Sequence, residues 1–282
     1  MMSLRNGMLA AVGAVGVIAG LVWGAERIGT QPTKTTDFRI DTKVYVGDEQ
    51  QPNNSITTLF RGGVVYDFMT SPERVAIYDP QRRRFILLDP EHRTKVEIGE
   101  QQLTRYAAHI RKWAARQDDA LLKFLSDPKF EESFDKASGE LKLSAKLYSY
   151  SVSTEQPTET AALEEYRRFT DWYARLNSAT NPGAMPPTGR LELNRALSKH
   201  QVIPKSVQLT VRRPGVRGGR PMTIRTVHRT IWYLASSDLS RIEKANDQLA
   251  AFTAVPLKDF VAAADQDRRP AGAKKLATSL RK

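Results

Sequence analysis

The residues able to do chemistry in this chain are few, and their spacing builds no reaction centre. Four histidines stand at His92, His109, His200 and His228, and none pairs with another at ligand spacing. The HExxH arrangement, which sets two ligands one helical turn apart, is absent. Serine chemistry needs a nucleophile on a tight elbow with a base and an orienting acid, and no GxSxG is present. Ser71, Ser236 and Ser237 read as turn and cap residues. Asp79 and Asp89 each precede a proline. Paired carboxylates can do acid–base work on sugars, but Asp-Pro also opens turns. Two such turns at the ends of one strand point to opposite ends of a sheet. The chain has no cysteine, which removes thiol catalysis, cysteine metal sites and a lipobox cysteine. The expectation is therefore no catalytic residue, no metal ligand and no cofactor. An enzyme reading would need a polar pocket gathering His228 or the Asp-Pro carboxylates.

The formal net charge is +12, from 43 basic and 31 acidic residues. A basic excess can mean nucleic acid, anionic lipid or only solubility. Its distribution decides. Residues 265–282 hold six basic and two acidic side chains, so a third of the excess sits in a short tail that reads as disordered. The rest is scattered, with small knots at Arg82-Arg83-Arg84, Arg212-Arg213 and Arg217 to Arg220. These read as solvated turns, with contact to anionic headgroups, at about 1 kcal/mol per near-surface charge, as their functional reading. No nucleic-acid partner is expected of an exported domain.

Export is read from the N-terminus. Arg5 precedes a run from Gly7 to Ala25 without a charge. As a helix it spans about 28 Å, one hydrocarbon core. The positive flank places the N-terminus in the cytoplasm. Residues 1–25 are thus a signal peptide, cut after Gly24 or Ala25, or a transmembrane anchor, for which Trp23 suits an interface position. Residues 26–36 are a polar linker. Either way the membrane is a partner, and the remainder belongs in the cell envelope, outside the cytoplasm.

The domain boundaries are read as 37–264. FRIDTKVYV alternates with period two, a half-buried strand. Ser55 to Met69 reads as one strand bent at Gly62-Gly63. Arg74–Tyr78, Arg84–Leu88 and Lys95–Ile98 continue an antiparallel meander through the two Asp-Pro turns. The period then becomes helical from Leu103 to Leu125, as one helix stopped at Asp127-Pro128. Strands resume at Phe130–Phe134 and, as one run, Leu141–Val152. A helix spans Thr160 to Leu176, a short one Leu191 to Leu197, and a hairpin joins Lys205–Arg212 to Thr223–Leu234. Ser237-Asp238 offers an N-cap for a further helix, and Pro256 opens a last one. Segregated strands and helices predict an α+β fold: a curved antiparallel sheet, an open or half barrel, with three or more helices packed on it.

The run from Val64 to Ile98 (VVYDF, RVAIYDP, RFILLDP, TKVEI) resembles the early strands of the outer-membrane lipoprotein carrier (LolA/LolB-like) superfamily. The resemblance implies an incomplete barrel around a few helices, with acyl chains in its apolar concavity. The stretch from Asn177 to Gln201 is an extra relative to that pattern, and the lipobox of some relatives is missing.

Two functions follow as expectations. The first is a non-enzymatic domain binding a lipid-like or acyl-chain ligand, with Phe60, Tyr66, Phe68, Phe85, Leu87, Leu143 and Leu147 as its lining by strand parity. The second is an anchored structural or envelope-sensing interaction protein with a fully packed core. They differ in whether helices cover the apolar face of the sheet completely, which periodicity does not tell.

Overall fold

The computed structural model describes residues 36–181, 183–212 and 221–268. The N-terminal segment, most of the linker, the loop at 213–220 and the tail from 269 lie outside the described residues. No described helix is long and apolar enough to cross a membrane.

Among the described residues, twelve strands form one open sheet. The alternating pattern at the start of the domain becomes β1 (Phe38–Val46), followed by β2 (Asn54–Arg61), β3 (Val64–Thr70), β4 (Glu73–Asp79), β5 (Arg84–Asp89) and β6 (Thr94–Gly99). After two helices come β7 (Glu131–Asp135), β8 (Glu140–Ser144) and β9 (Tyr148–Glu155). After two more come β10 (Ile203–Val211), β11 (Met222–Ile231) and the two-residue β12 (Thr253–Ala254). The order is β12-β6-β5-β4-β3-β2-β1-β11-β10-β9-β8-β7. Only β12 on β6 is parallel; the other pairs are antiparallel. Two meanders are thus joined where β1 meets β11, with Thr42 opposite His228.

Helices cover this sheet unevenly. On its inner face lie α1 (Glu100–Ala115), α2 (Ala120–Ser126), α3 (Thr160–Thr180), α4 (Thr188–Lys199) and α6 (Leu257–Arg268); α5 (Ser236–Ala251) packs on the outer face. Strands β4 and β5 are buried on both faces, between α3 and α5. Their near-continuous apolar runs, RVAIYD and RFILLD, are what two-sided cover demands. In β9 only alternate residues are buried, as one-sided cover predicts.

The architecture is the α+β sheet that the patterning predicts, with four local differences. Ser55 to Met69 is two strands, because Gly62 (φ 57°) and Gly63 (φ 80°) form a two-residue turn rather than a bend. Two consecutive positive φ angles match the right-handed twist of a tight hairpin, and glycine adopts them without strain. The helix from Leu103 to Leu125 is two helices, since the Asp119 carboxylate accepts the Leu122 N–H at 2.9 Å and starts α2 afresh. Leu141 to Val152 is β8 and β9, parted at Ala145–Leu147. At α5 the N-cap is Ala235, whose N–H donates to Asp238 at 3.0 Å.

Candidate functional site: a cavity under the α3–α4 loop

The register fixes which side chains share the inner face. One row crosses the first meander as Ile98, Phe85, Tyr78, Val65, Phe60 and Phe38. It is closely packed. Phe38 stacks on Phe60 at 4.0 Å between centroids, and Phe169 of α3 meets Phe60 edge-on at 5.8 Å. Phe60, Phe85 and Leu87 lie in this cluster under α3, and Leu143 lies on the inner face of β8 in the neighbouring one. Leu147 follows β8 and packs against that second cluster. Tyr66 and Phe68 lie on the outer face, against Ile242 and Ala245 of α5. The turn at Gly62-Gly63 is the reason. It pairs Phe60 with Val65, an odd with an even position, so the parity that carries Phe60 inward carries Tyr66 outward.

Beyond β1 the inner face changes character. The rows here are Val44, Thr226, Val207, Val152 and, one step on, Val46, Ile224, Leu209, Tyr150, Leu143. Over β9 to β11 a cavity of about 720 Å³ opens between sheet and helices. Its floor is Val207, Leu209, Val211 and Ile224; its roof is the end of α3, the loop after it and the first turn of α4. The roof includes small residues over the strands. Where α3 fills the first half with Tyr166 and Phe169, it offers Ala174 here, and the loop offers Gly183 and Ala184. Met222, at 46% exposure, stands at the edge. The volume lies within the range of about 300–1,000 Å³ of small-molecule sites. None of the seven residues expected to line a ligand is in the wall of this cavity. Leu87 borders a smaller gap between α3 and β3–β5, of about 70 Å³, beside Asp67 and Tyr173.

Charge enters the large cavity at one place. Arg190 is its single charged wall residue among those described. Gly189, immediately before it, lets α4 sit close to Tyr148, and Asn194 ties α4 to α3 by donating to Asp171 at 2.9 Å. Thr188 also donates to the Leu125 carbonyl. Around Arg190 stand Tyr148 and Tyr150, whose hydroxyls are 3.0 Å apart, and Tyr166, whose hydroxyl Arg190 hydrogen-bonds. Burial raises all three phenol pKa values, so these groups are neutral. His228 sits between the hydroxyls of Thr42 and Thr226, each at 2.9 Å. Burial, and then the charge of Arg190, push its pKa down to about 3. It is neutral as well.

The other chemistry candidates are held by local partners. Asp79 accepts the Arg82 N–H and pairs with its guanidinium at 2.8 Å, and Asp89 accepts the His92 N–H and pairs with Arg74 at 2.5 Å. The two carboxylates stand at opposite ends of β5, Asp79 opposite Arg84 and Asp89 opposite Thr94. In the Arg82–Arg84 knot each arginine has a carboxylate: Asp79, Glu100 and Glu97. His200 stacks on Phe134 and bonds Glu132. Among the described residues no group of three or more His, Asp or Glu could hold a metal ion.

Sequence reading missed Arg190, though a signal exists. It lies in the first turn of α4, which contains no acidic residue and has no side-chain cap. A cation there opposes the helix dipole, so its position has no source in helix stability.

No family model matches the sequence, and no curated protein matches it. Among solved structures the chain is similar to the crystal structure of a LolA superfamily protein from Nitrosomonas europaea, at 6% identity and a TM-score of 0.26. The match covers 74% of this chain and 90% of that one.

Proposed function

We propose that this chain is an exported, non-enzymatic domain that binds an amphipathic, lipid-like ligand on its inner face, between α3, α4 and strands β9 to β11. The observation that carries the reading is the cavity of about 720 Å³, whose floor is aliphatic and whose roof includes loop and small residues. Burial of an apolar chain there yields about 25 cal/mol per Å². The uncharged segment from Gly7 to Ala25 takes the domain across the cytoplasmic membrane, either staying as an anchor or being cut away. Contact of the basic turns at Arg82-Arg83-Arg84 and Arg212 to Arg220, and of the tail at 265–282, with anionic headgroups belongs to the same proposal. A second reading, an anchored structural or envelope-sensing protein, draws support from the dry packing under α3, where Phe60 and Phe85 are wholly buried.

The test is native mass spectrometry of the full chain, released from membranes with an amphipathic polymer, together with solvent extraction. A co-purifying apolar molecule is expected, and Ala174→Trp, which fills the roof, is expected to lack it. An empty protein that takes up no apolar fluorescent probe would favour the second reading.

A further inference from the structure

We propose that the ligand of this cavity carries an acidic headgroup, a carboxylate or a phosphate ester, bound by Arg190 at the start of α4 with its apolar chain along β10 and β11. The inference rests on the binding reading above and adds the class of ligand. Three observations support it.

Arg190 faces the cavity without a carboxylate. The partner that the structure gives it is the neutral hydroxyl of Tyr166. Two other arginines of the inner face differ in this. Arg195, further along the same helix, pairs with Glu192 and Glu132, and Arg74 pairs with Asp89. A half-buried guanidinium without a counter-charge is costly unless something supplies one.

The groups around it are neutral and hydrogen-bonding. Tyr148, Tyr150, Tyr166 and His228 all feel its charge, and none is an anion at neutral pH. The described cavity wall contains no Asp or Glu.

The helix adds to the same field. The first N–H groups of α4 have no intrahelical acceptor, and Pro186, Pro187 and Arg190 all border the cavity. Helix N-terminus and guanidinium therefore set positive potential at one end of an apolar chamber. A carboxylate or phosphate matches the planar fork of arginine, while the aliphatic floor suits the chain behind it.

The experiment uses the full chain in an amphipathic polymer and the uncharged probe N-phenyl-naphthylamine, displaced in turn by dodecanoic acid, dodecyl phosphate and dodecanol. At a pH where the acid is ionised, at least one anion is expected to bind about tenfold or more tightly than the alcohol. Arg190→Gln is expected to remove that preference by weakening the anions alone, so its unchanged binding of dodecanol also reports that it is folded. If that variant does not fold, Arg190→Lys and added salt read the same charge, with salt weakening the anions and sparing the alcohol. The better of the two anions identifies the headgroup. Equal binding of acid, phosphate and alcohol, or a preference that survives Arg190→Gln, overturns the headgroup assignment and leaves the binding reading standing. Failure of all three to displace the probe overturns both.

Discussion

Gly189 of α4 lies against Tyr148 of β9 with no room for a side chain between them. A β-carbon at 189 would meet Tyr148 Cε1 at 3.0 Å and Leu125 Cδ2 at 3.2 Å. Neither neighbour is free to give way. Tyr148 is held through its hydroxyl to Tyr150, and Leu125 is wholly buried. This contact sets the height of α4 over the sheet, and with it the place of Arg190.

Gly189→Ala is therefore expected to destabilise the protein. Overpacking a closed contact costs about 1–3 kcal/mol, and the better helix propensity of alanine returns at most about 1 kcal/mol. A net loss of about 1 kcal/mol should appear as a lowered denaturation midpoint. A midpoint that stays or rises would mean that α4 lifts without cost.

Asp67 introduces a pH dependence of one sign. It is buried on the inner face, accepts the Thr58 hydroxyl at 2.6 Å and is hydrogen-bonded by Tyr173. Burial outweighs both bonds and raises its pKa from 3.8 to about 6. Between those values the folded state holds a proton that the unfolded state has lost, so stability falls as pH rises through this window. Above it, the ionised carboxylate costs about 3 kcal/mol. Asp67→Asn keeps an acceptor for Thr58 and cannot ionise. Its unfolding free energy should exceed that of the parent at neutral pH, and the advantage should vanish as pH falls to about 4, where the folded carboxyl is protonated. A constant difference across the range would exclude Asp67 as the source.

His228 contributes the opposite sign. Its pKa lies at about 3 in the fold against 6.5 for a free side chain. On acidification through that interval the unfolded state gains a proton that the folded state refuses, so stability is lost as pH falls. His228→Gln retains hydrogen bonding to Thr42 and Thr226 and should flatten the acid limb of the stability profile. Because the two windows overlap, the parent profile understates each slope, and the single variants should separate them. Direct titration of the imidazole by NMR, with a midpoint near the free value, would refute the account.

Much of this fold can be read from residue order, and the reasons for the failures are local. Alternation in FRIDTKVYV and the two Asp-Pro turns suffice for β1 and for β4 to β6, because each turn is closed by its own aspartate. The helical stripe through Leu163, Tyr166 and Phe169 gives α3 and the face that it buries. What escaped were breaks made by one or two residues. Asp119 restarts a helix whose apolar period runs on, and Gly62-Gly63 turns a chain that reads as continuous. The second break carries Tyr66 and Phe68, expected on the inner face, to the outer one. The cavity escaped for a different reason. Periodicity tells which face of α3 or β10 is apolar, but not how far apart two apolar faces stand. That separation depends on Gly189, on Ala174 and on the loop after α3, none of which alters a hydrophobic pattern. Arg190 falls just outside the helix read from Leu191 to Leu197, which begins at Thr188.

The Gly62-Gly63 turn allows a direct test of this parity argument. Gly63 has φ 80°, where an L-residue is strained, and a β-carbon at Gly62 would meet no atom within 4 Å. In a two-residue hairpin of this kind the first position accepts asparagine readily and the second prefers glycine. Gly62→Asn is therefore expected to leave stability near that of the parent. Gly63→Val should lose about 1–2 kcal/mol through its left-handed backbone alone, since nothing in the core changes. If the chain instead ran on as a bent strand, the two substitutions would behave alike. Chemical denaturation of both variants, with the β2–β3 amides followed by hydrogen exchange, distinguishes the two: the hairpin predicts loss of protection in Gly63→Val centred on Phe60 and Val65, which face each other next to the turn.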